Sequence, residues 1–147
     1  MIALILAAAL AAPQTLPAPV YGWRDTLDAI RITETGGLPD DGEGAVGDGG
    51  NALGPYQIWT PYHTDAAERD KTLTSYQSCL NSKAYSERVV RAYMNRYARA
   101  ALRRLEAGAG TLADVETVAR IHNGGPRGAT KKATLPYWRK VKKEVQA

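Results

Sequence analysis

Residues 36–54 hold eight of the fourteen glycines in a chain of 147 residues, with few apolar anchors among them. Glycine's backbone freedom works against regular helix, so no helix runs through this stretch. It reads as a loop or a short irregular hairpin, which "GPYQIWT" can close with a brief strand. The flanking sequence reads as helix. Trp23, Leu27 and Ile30 recur at helical spacing, and Glu34 continues the i, i+4, i+7, i+11 series. Thr60 and Pro61 suit an N-cap and first helical residue for a short helix to about Arg69. Residues 84–106 show the strongest pattern, one helix with Val90, Met94, Tyr97, Ala101 and Leu105 on its apolar stripe and Gly108 beyond its end. Its arginines spread over the other face, as on a solvated surface. Thr111 and Asp114 resemble a capping box opening a helix to about His122. "NGGPRG" is then a turn, and a last helix from near Thr134 carries Trp138, Val141 and Val145. The expected fold class is α+β, mostly helical, with one Gly-rich hairpin region.

The length suits one domain with a real core. The opening "MIALILAAALAA" is an apolar run too short to span a membrane, and Ala9-Leu10-Ala11 offers an A-x-A cleavage pattern. Residues 1–11 are therefore expected to be a signal peptide, although no Lys or Arg precedes the apolar core; a buried N-terminal helix is the competing reading. Pro13, Pro17 and Pro19 mark residues 12–22 as a linker, leaving 23–147 as the domain. With one cysteine, Cys79, a single chain forms no internal disulfide. Cys79 has no metal partner at diagnostic spacing and reads as a small buried hydrophobe. The net charge of +4 suits an anionic partner, whether cell wall, nucleic acid or acidic membrane.

Glu34 stands out chemically. Its helical phase puts it on the face of Trp23 and Leu27, at the negative end of the helix dipole; burial and dipole both favour the protonated acid. Such a group suits proton donation, unless Arg31 pairs with it or it simply reaches water. Glycoside cleavage by the usual carboxylate pair needs a second acid, and the loop offers Asp40, Asp41, Glu43 and Asp48. Spacing does not choose among them. No H-E-x-x-H, phosphate-binding loop, dinucleotide fingerprint or G-x-S-x-G elbow is present. His122, at a helix end before "NGG", reads by itself as a hydrogen-bonded structural histidine.

The segments "ITETGG", "ALGPYQI", "PYHTDA", "RVVRAYMNRY" and "ARIHNGGPRGA...LPYW" occur in the order of motifs in the invertebrate-type (destabilase-type) lysozymes, which this chain resembles from about Ile30 to Val141. The resemblance implies a lysozyme-like fold and hydrolysis of the β-1,4 bond between N-acetylmuramic acid and N-acetylglucosamine in peptidoglycan. Position by position, Glu34 matches the general-acid glutamate and Asp48 the second carboxylate. Tyr56, Gln57, His122 and Asn123 match segments expected near the saccharide cleft. No cofactor or metal enters that scheme, and it implies a monomer, secreted or periplasmic. The chain departs from the family's disulfide-rich pattern: cysteine positions read Leu53, Ala66, Tyr85, Val89 and Ala129, and only Cys79 remains. The loop after Glu34 is longer, and His63 replaces a tryptophan, which is expected to alter an aromatic wall of the cleft. Two other readings stay open. One is a lytic transglycosylase-like enzyme using Glu34 alone; the other is a non-catalytic peptidoglycan-binding module.

Overall fold

The computed structural model describes residues 15–147; the expected signal peptide, residues 1–11, lies outside the described residues. Residues 15–20 are exposed and carry no regular structure. Tyr21, placed in the linker by sequence, is buried and exchanges two backbone hydrogen bonds with Gly110 (2.9 and 3.0 Å), so the folded unit begins there.

Seven helices follow: α1 (Trp23–Thr35), α2 (Thr60–Arg69), α3 (Ser78–Asn81), α4 (Lys83–Tyr97), α5 (Arg99–Glu106), α6 (Leu112–Gly124) and α7 (Leu135–Val145). The Asp25 carboxylate accepts the Gly22 N–H at 2.8 Å, at the start of α1. Gly36 ends the helix in the left-handed region (φ 63°), its N–H donating to Ile32 at 2.8 Å. In the capping box at α6, the Thr111 hydroxyl accepts from the Asp114 N–H and the Asp114 carboxylate accepts from the Thr111 N–H.

The expected single helix over 84–106 is two. Its run breaks at Ala98 (φ −140°, ψ 36°), which is neither glycine nor proline. Tertiary packing overrides a continuous helical pattern here: α4 lies against α2, while α5 lies against α6 and α1. The stripe survives the bend, with Val90, Met94, Ala101 and Leu105 all buried.

The Gly-rich segment forms a minimal antiparallel hairpin, β1 (Val46–Gly47) with β2 (Ala52–Leu53), pairing Val46 with Leu53. Leu53 also bridges to Ile58, so "GPYQI" does close the hairpin. Gly54 is required where the chain turns back: its φ is 71°, and a Cβ there would lie 1.7 Å from the Cys79 carbonyl oxygen. The positions that are cysteine in the family serve packing. Leu53, Ala66, Val89 and Cys79 are buried, and Ala129 packs against the core. Tyr85 instead uses its hydroxyl, accepting from the Ser75 N–H (3.0 Å) and meeting His63 Nε2 at 2.9 Å.

A candidate active site at the end of helix α1

Glu34 is the penultimate residue of α1, with its side chain 18% exposed. The Tyr137 hydroxyl, from α7, donates to Glu34 Oε1 at 2.7 Å. His122 Nε2, from α6, lies 3.3 Å from the same oxygen. That nitrogen is also 3.1 Å from the Tyr56 carbonyl oxygen, which only accepts, so Nε2 carries a hydrogen. Nδ1 then accepts from the Tyr62 hydroxyl at 3.0 Å. The Tyr62 ring stacks on Tyr93, with centroids 3.7 Å apart. Burial, reinforced by the Glu34 charge, holds the Tyr137 phenol well above the usual range. Burial acts the same way on Tyr62, with Tyr93 and then Glu34 adding to it. Both hydroxyls therefore remain donors. Arg31, the nearest cation by sequence, turns away to Asp41 (3.3 Å) and Asp28 (3.8 Å).

The four loop acids separate by what they touch. Asp41 is tied to Lys83 Nζ (2.6 Å) and Arg31, and those contacts hold its carboxyl below the usual carboxylate range. Glu43 accepts the Lys83 N–H at 2.7 Å at the start of α4. Asp40 is exposed at φ 54°. Asp48 alone of the four lines the same cleft as Glu34. It adopts φ 49°, and its carbonyl accepts from the Asn51 N–H (3.2 Å) and side-chain amide (3.1 Å).

The cleft has a volume of about 220 Å³ and is lined by Glu34, Asp48, Ala52, Gln57, Trp59, Tyr62, His122 and Asn123. Gln57 is held by its amide, which donates to the Gly54 carbonyl at 3.0 Å, and it lies against Gly47, where a Cβ would come within 2.0 Å of its Oε1. Asn123 is exposed at the rim. Tyr56 differs from expectation: its side chain is 0% exposed, and its hydroxyl donates to the partly exposed Glu87 at 3.0 Å, so only its carbonyl reaches the site. His63 also differs, being buried against Tyr85 and Tyr76 and forming no wall of the cleft. The aromatic wall is Trp59, 45% exposed, together with Tyr62. Sequence reading did not single out Trp59, Tyr62 or Tyr137. The tyrosines stand beside prolines in "PYH" and "LPYW", the one local hint that their backbones are held. Among the described residues, no group of three or more His, Cys, Asp and Glu side chains is placed to hold a metal ion. The cleft brings together a carboxyl bonded through one oxygen and a second carboxylate, side chains of the kind that carry out proton transfer.

A family model described as Destabilase matches residues 42–144. A lysozyme of Magallana gigas is 40% identical over 90 residues, covering 61% of this chain and 58% of the relative. The chain thus spans less than two thirds of that relative's length. Invertebrate-type lysozyme 3 of Caenorhabditis elegans is 34% identical over 130 residues, covering 85% of this chain and 88% of the relative. The crystal structure of Tapes japonica lysozyme superposes with a TM-score of 0.61 at 30% identity, covering 84% of this chain and 91% of that one. The Meretrix lusoria lysozyme solved in complex with Aeromonas hydrophila PliI gives the same TM-score at 28% identity, covering 87% and 93%. A mostly helical fold shared with solved lysozymes and a family match over most of the chain lead to one assignment: this protein belongs to the destabilase family.

Proposed function

We propose that this protein is a muramidase, a glycoside hydrolase that cleaves the β-1,4 bond between N-acetylmuramic acid and N-acetylglucosamine in peptidoglycan. The observation that carries this reading is the presence of Glu34 and Asp48 on one cleft open to solvent. Kinship with proteins named lysozymes supports it.

In this mechanism Glu34 donates its proton to the glycosidic oxygen as the C1–O bond breaks, and the bonding electron pair stays on that oxygen. Asp48 stabilises or attacks the oxocarbenium-like carbon, and Glu34 then takes a proton from the incoming water. Gln57, Asn123 and Trp59 contact the sugar: amides suit N-acetyl groups, and the indole face suits a pyranose ring. Tyr56 contributes through its carbonyl alone. One chain supplies both carboxylates, so the enzyme works as a monomer. Its substrate lies outside the membrane, so it is exported, with residues 1–11 as its leader. No helix among the described residues is long and apolar enough to cross a membrane.

Digestion of purified peptidoglycan by wild type and Glu34→Gln, read by mass spectrometry, tests the proposal. Reducing-end muropeptides from wild type, lost in the variant, are expected. Anhydro-muropeptides would instead establish the lytic transglycosylase reading, which the exposure of the Asp48 side chain favours. Binding to the wall with no released fragments, unchanged by Glu34→Gln, would leave only a binding module.

A further inference from the structure

Two polar groups approach Glu34, both at the same oxygen. The Tyr137 hydroxyl donates to Oε1 at 2.7 Å, and His122 Nε2 lies 3.3 Å from Oε1. Glu34 Oε2 has no protein partner among the described residues, and the side chain lines the cleft. The two oxygens of one carboxyl are thus chemically distinct before any substrate binds. A proton placed on Oε1 would confront the Tyr137 hydrogen already donated to that oxygen and the polar Nε2–H of His122 3.3 Å away. The Tyr137 phenol stays protonated because burial and the Glu34 charge hold it so. The His122 hydrogen is kept on Nε2 by the Tyr56 carbonyl at 3.1 Å, which accepts only. A proton on Oε2 meets no such conflict.

We propose that Tyr137 and His122 are a positioning pair that reserves Oε1 as an acceptor and confines the working proton of Glu34 to Oε2, the oxygen open to the cleft. This inference rests on the muramidase reading for its consequence, since Oε2 is then the atom that protonates the glycosidic oxygen. The geometric claim stands apart from that reading. The pair comes from two helices, α6 and α7, that both pack against α1. Tyr62 from α2 stands behind His122, fixing its ring at 3.0 Å through Nδ1. On the loop side the one charged group at the cleft is Asp48, and on α1 itself Arg31 is engaged by Asp28 and Asp41. Removing one donor from Oε1 weakens the charged form of the carboxyl relative to the acid. It also frees the proton to sit on either oxygen, so a fraction of molecules carries it on the wrong side.

Tyr137→Phe removes the hydroxyl and keeps the ring. Titration of the Glu34 carboxyl by carbon-13 NMR, with glutamate labelled at Cδ, reads the clamp whether or not the protein is active. The midpoint is expected to move to higher pH in Tyr137→Phe, and to stay in place in Tyr97→Phe, which removes a comparable hydroxyl–carboxylate bond to Asp65. On peptidoglycan the same variant is expected to lose roughly ten-fold or more in kcat, as for a lost hydrogen bond to a charged group, with KM little changed. The alkaline limb of its pH profile is expected to move upward, because activity persists until the acid is deprotonated. His122→Gln, which retains an N–H donor, is expected to keep the limb nearer to wild type than His122→Ala. An unchanged NMR midpoint in a folded Tyr137→Phe overturns the inference. A moved midpoint in a protein whose wild type releases no wall fragments supports the clamp and sinks the muramidase reading instead.

Discussion

Glu34 and Asp48 line one cleft yet are held by opposite means. Glu34 stands on the last turn of a 13-residue helix, its carboxyl bonded by Tyr137 from α7 and approached by His122 from α6. Asp48 stands in a segment where hydrogen bonds go to backbone: its carbonyl is pinned twice by Asn51, while its side chain is exposed. All four non-glycine residues with positive φ among the described residues, Asp40, Asp41, Asp48 and Gln57, lie in or beside this loop. Strained backbone of this kind persists where the surroundings over-determine it, and it gathers at functional sites. The lesson is a division of labour. On the proposed reading the helical body sets the direction of one proton, whereas the loop presents a charge by the shape of its backbone.

The comparison breaks hardest at Glu34. Glu34→Gln keeps the size and hydrogen-bonding reach of the side chain and removes its acid, so activity on peptidoglycan is expected to fall by about 10³-fold, as for a lost general acid. Asp48→Asn is expected to cost about 10²-fold in kcat, the scale of one lost electrostatic stabiliser. Near-normal turnover with anhydro products in that variant would make the loop side dispensable. Gly54→Ala attacks the loop's anchor. A Cβ at φ 71° meeting the Cys79 carbonyl destabilises the fold by about 2 kcal/mol or more, read as a fall in melting temperature. Because Glu34 is held from elsewhere, its NMR titration in the surviving folded protein stays as in wild type.

The smallest effect lies on the helical side. Asp114, buried at the start of α6, has its carboxyl held down to about 2 by the Arg104 guanidinium, opposed by burial and aided by Thr111. Its folded-state value lies below the ordinary 3.8, so its stabilisation is complete above 3.8 and drains away as pH falls toward 2. Asp114→Asn is expected to lower stability at neutral pH by about 1 kcal/mol. It should also flatten the acid side of a melting-temperature profile between those values.

What could be read in the sequence was what is decided locally. The α6 capping box spans four residues, and the structure has it as the pattern implies. The glycine density of 36–54 excluded helix and left a hairpin, because backbone freedom is a property of single residues. The bend at Ala98 was hidden, since it answers to α2, α6 and α1 rather than to any residue near it. Two tyrosines show the same limit. Tyr56 and Tyr62 both stand in motifs beside proline, yet one hydroxyl turns to Glu87 on α4 and the other to His122 at the site. Tyr137 reaches Glu34 across 103 positions of sequence, a contact that no window of neighbouring residues contains. Helical phase pointed to Glu34; which of its oxygens is covered became visible only with α6 and α7 in place.

Cys79 carries a consequence of a different kind. Its thiol is buried, and burial pushes it up to about 11, so almost no thiolate exists at neutral pH to be oxidised or alkylated. The positions around it hold leucine, alanine and valine, so the native state has no covalent lock to open. Dithiothreitol is expected to leave the melting temperature unchanged. The molecule is therefore blind to redox poise, keeping one shape in a reducing cytosol and in an oxidising exterior.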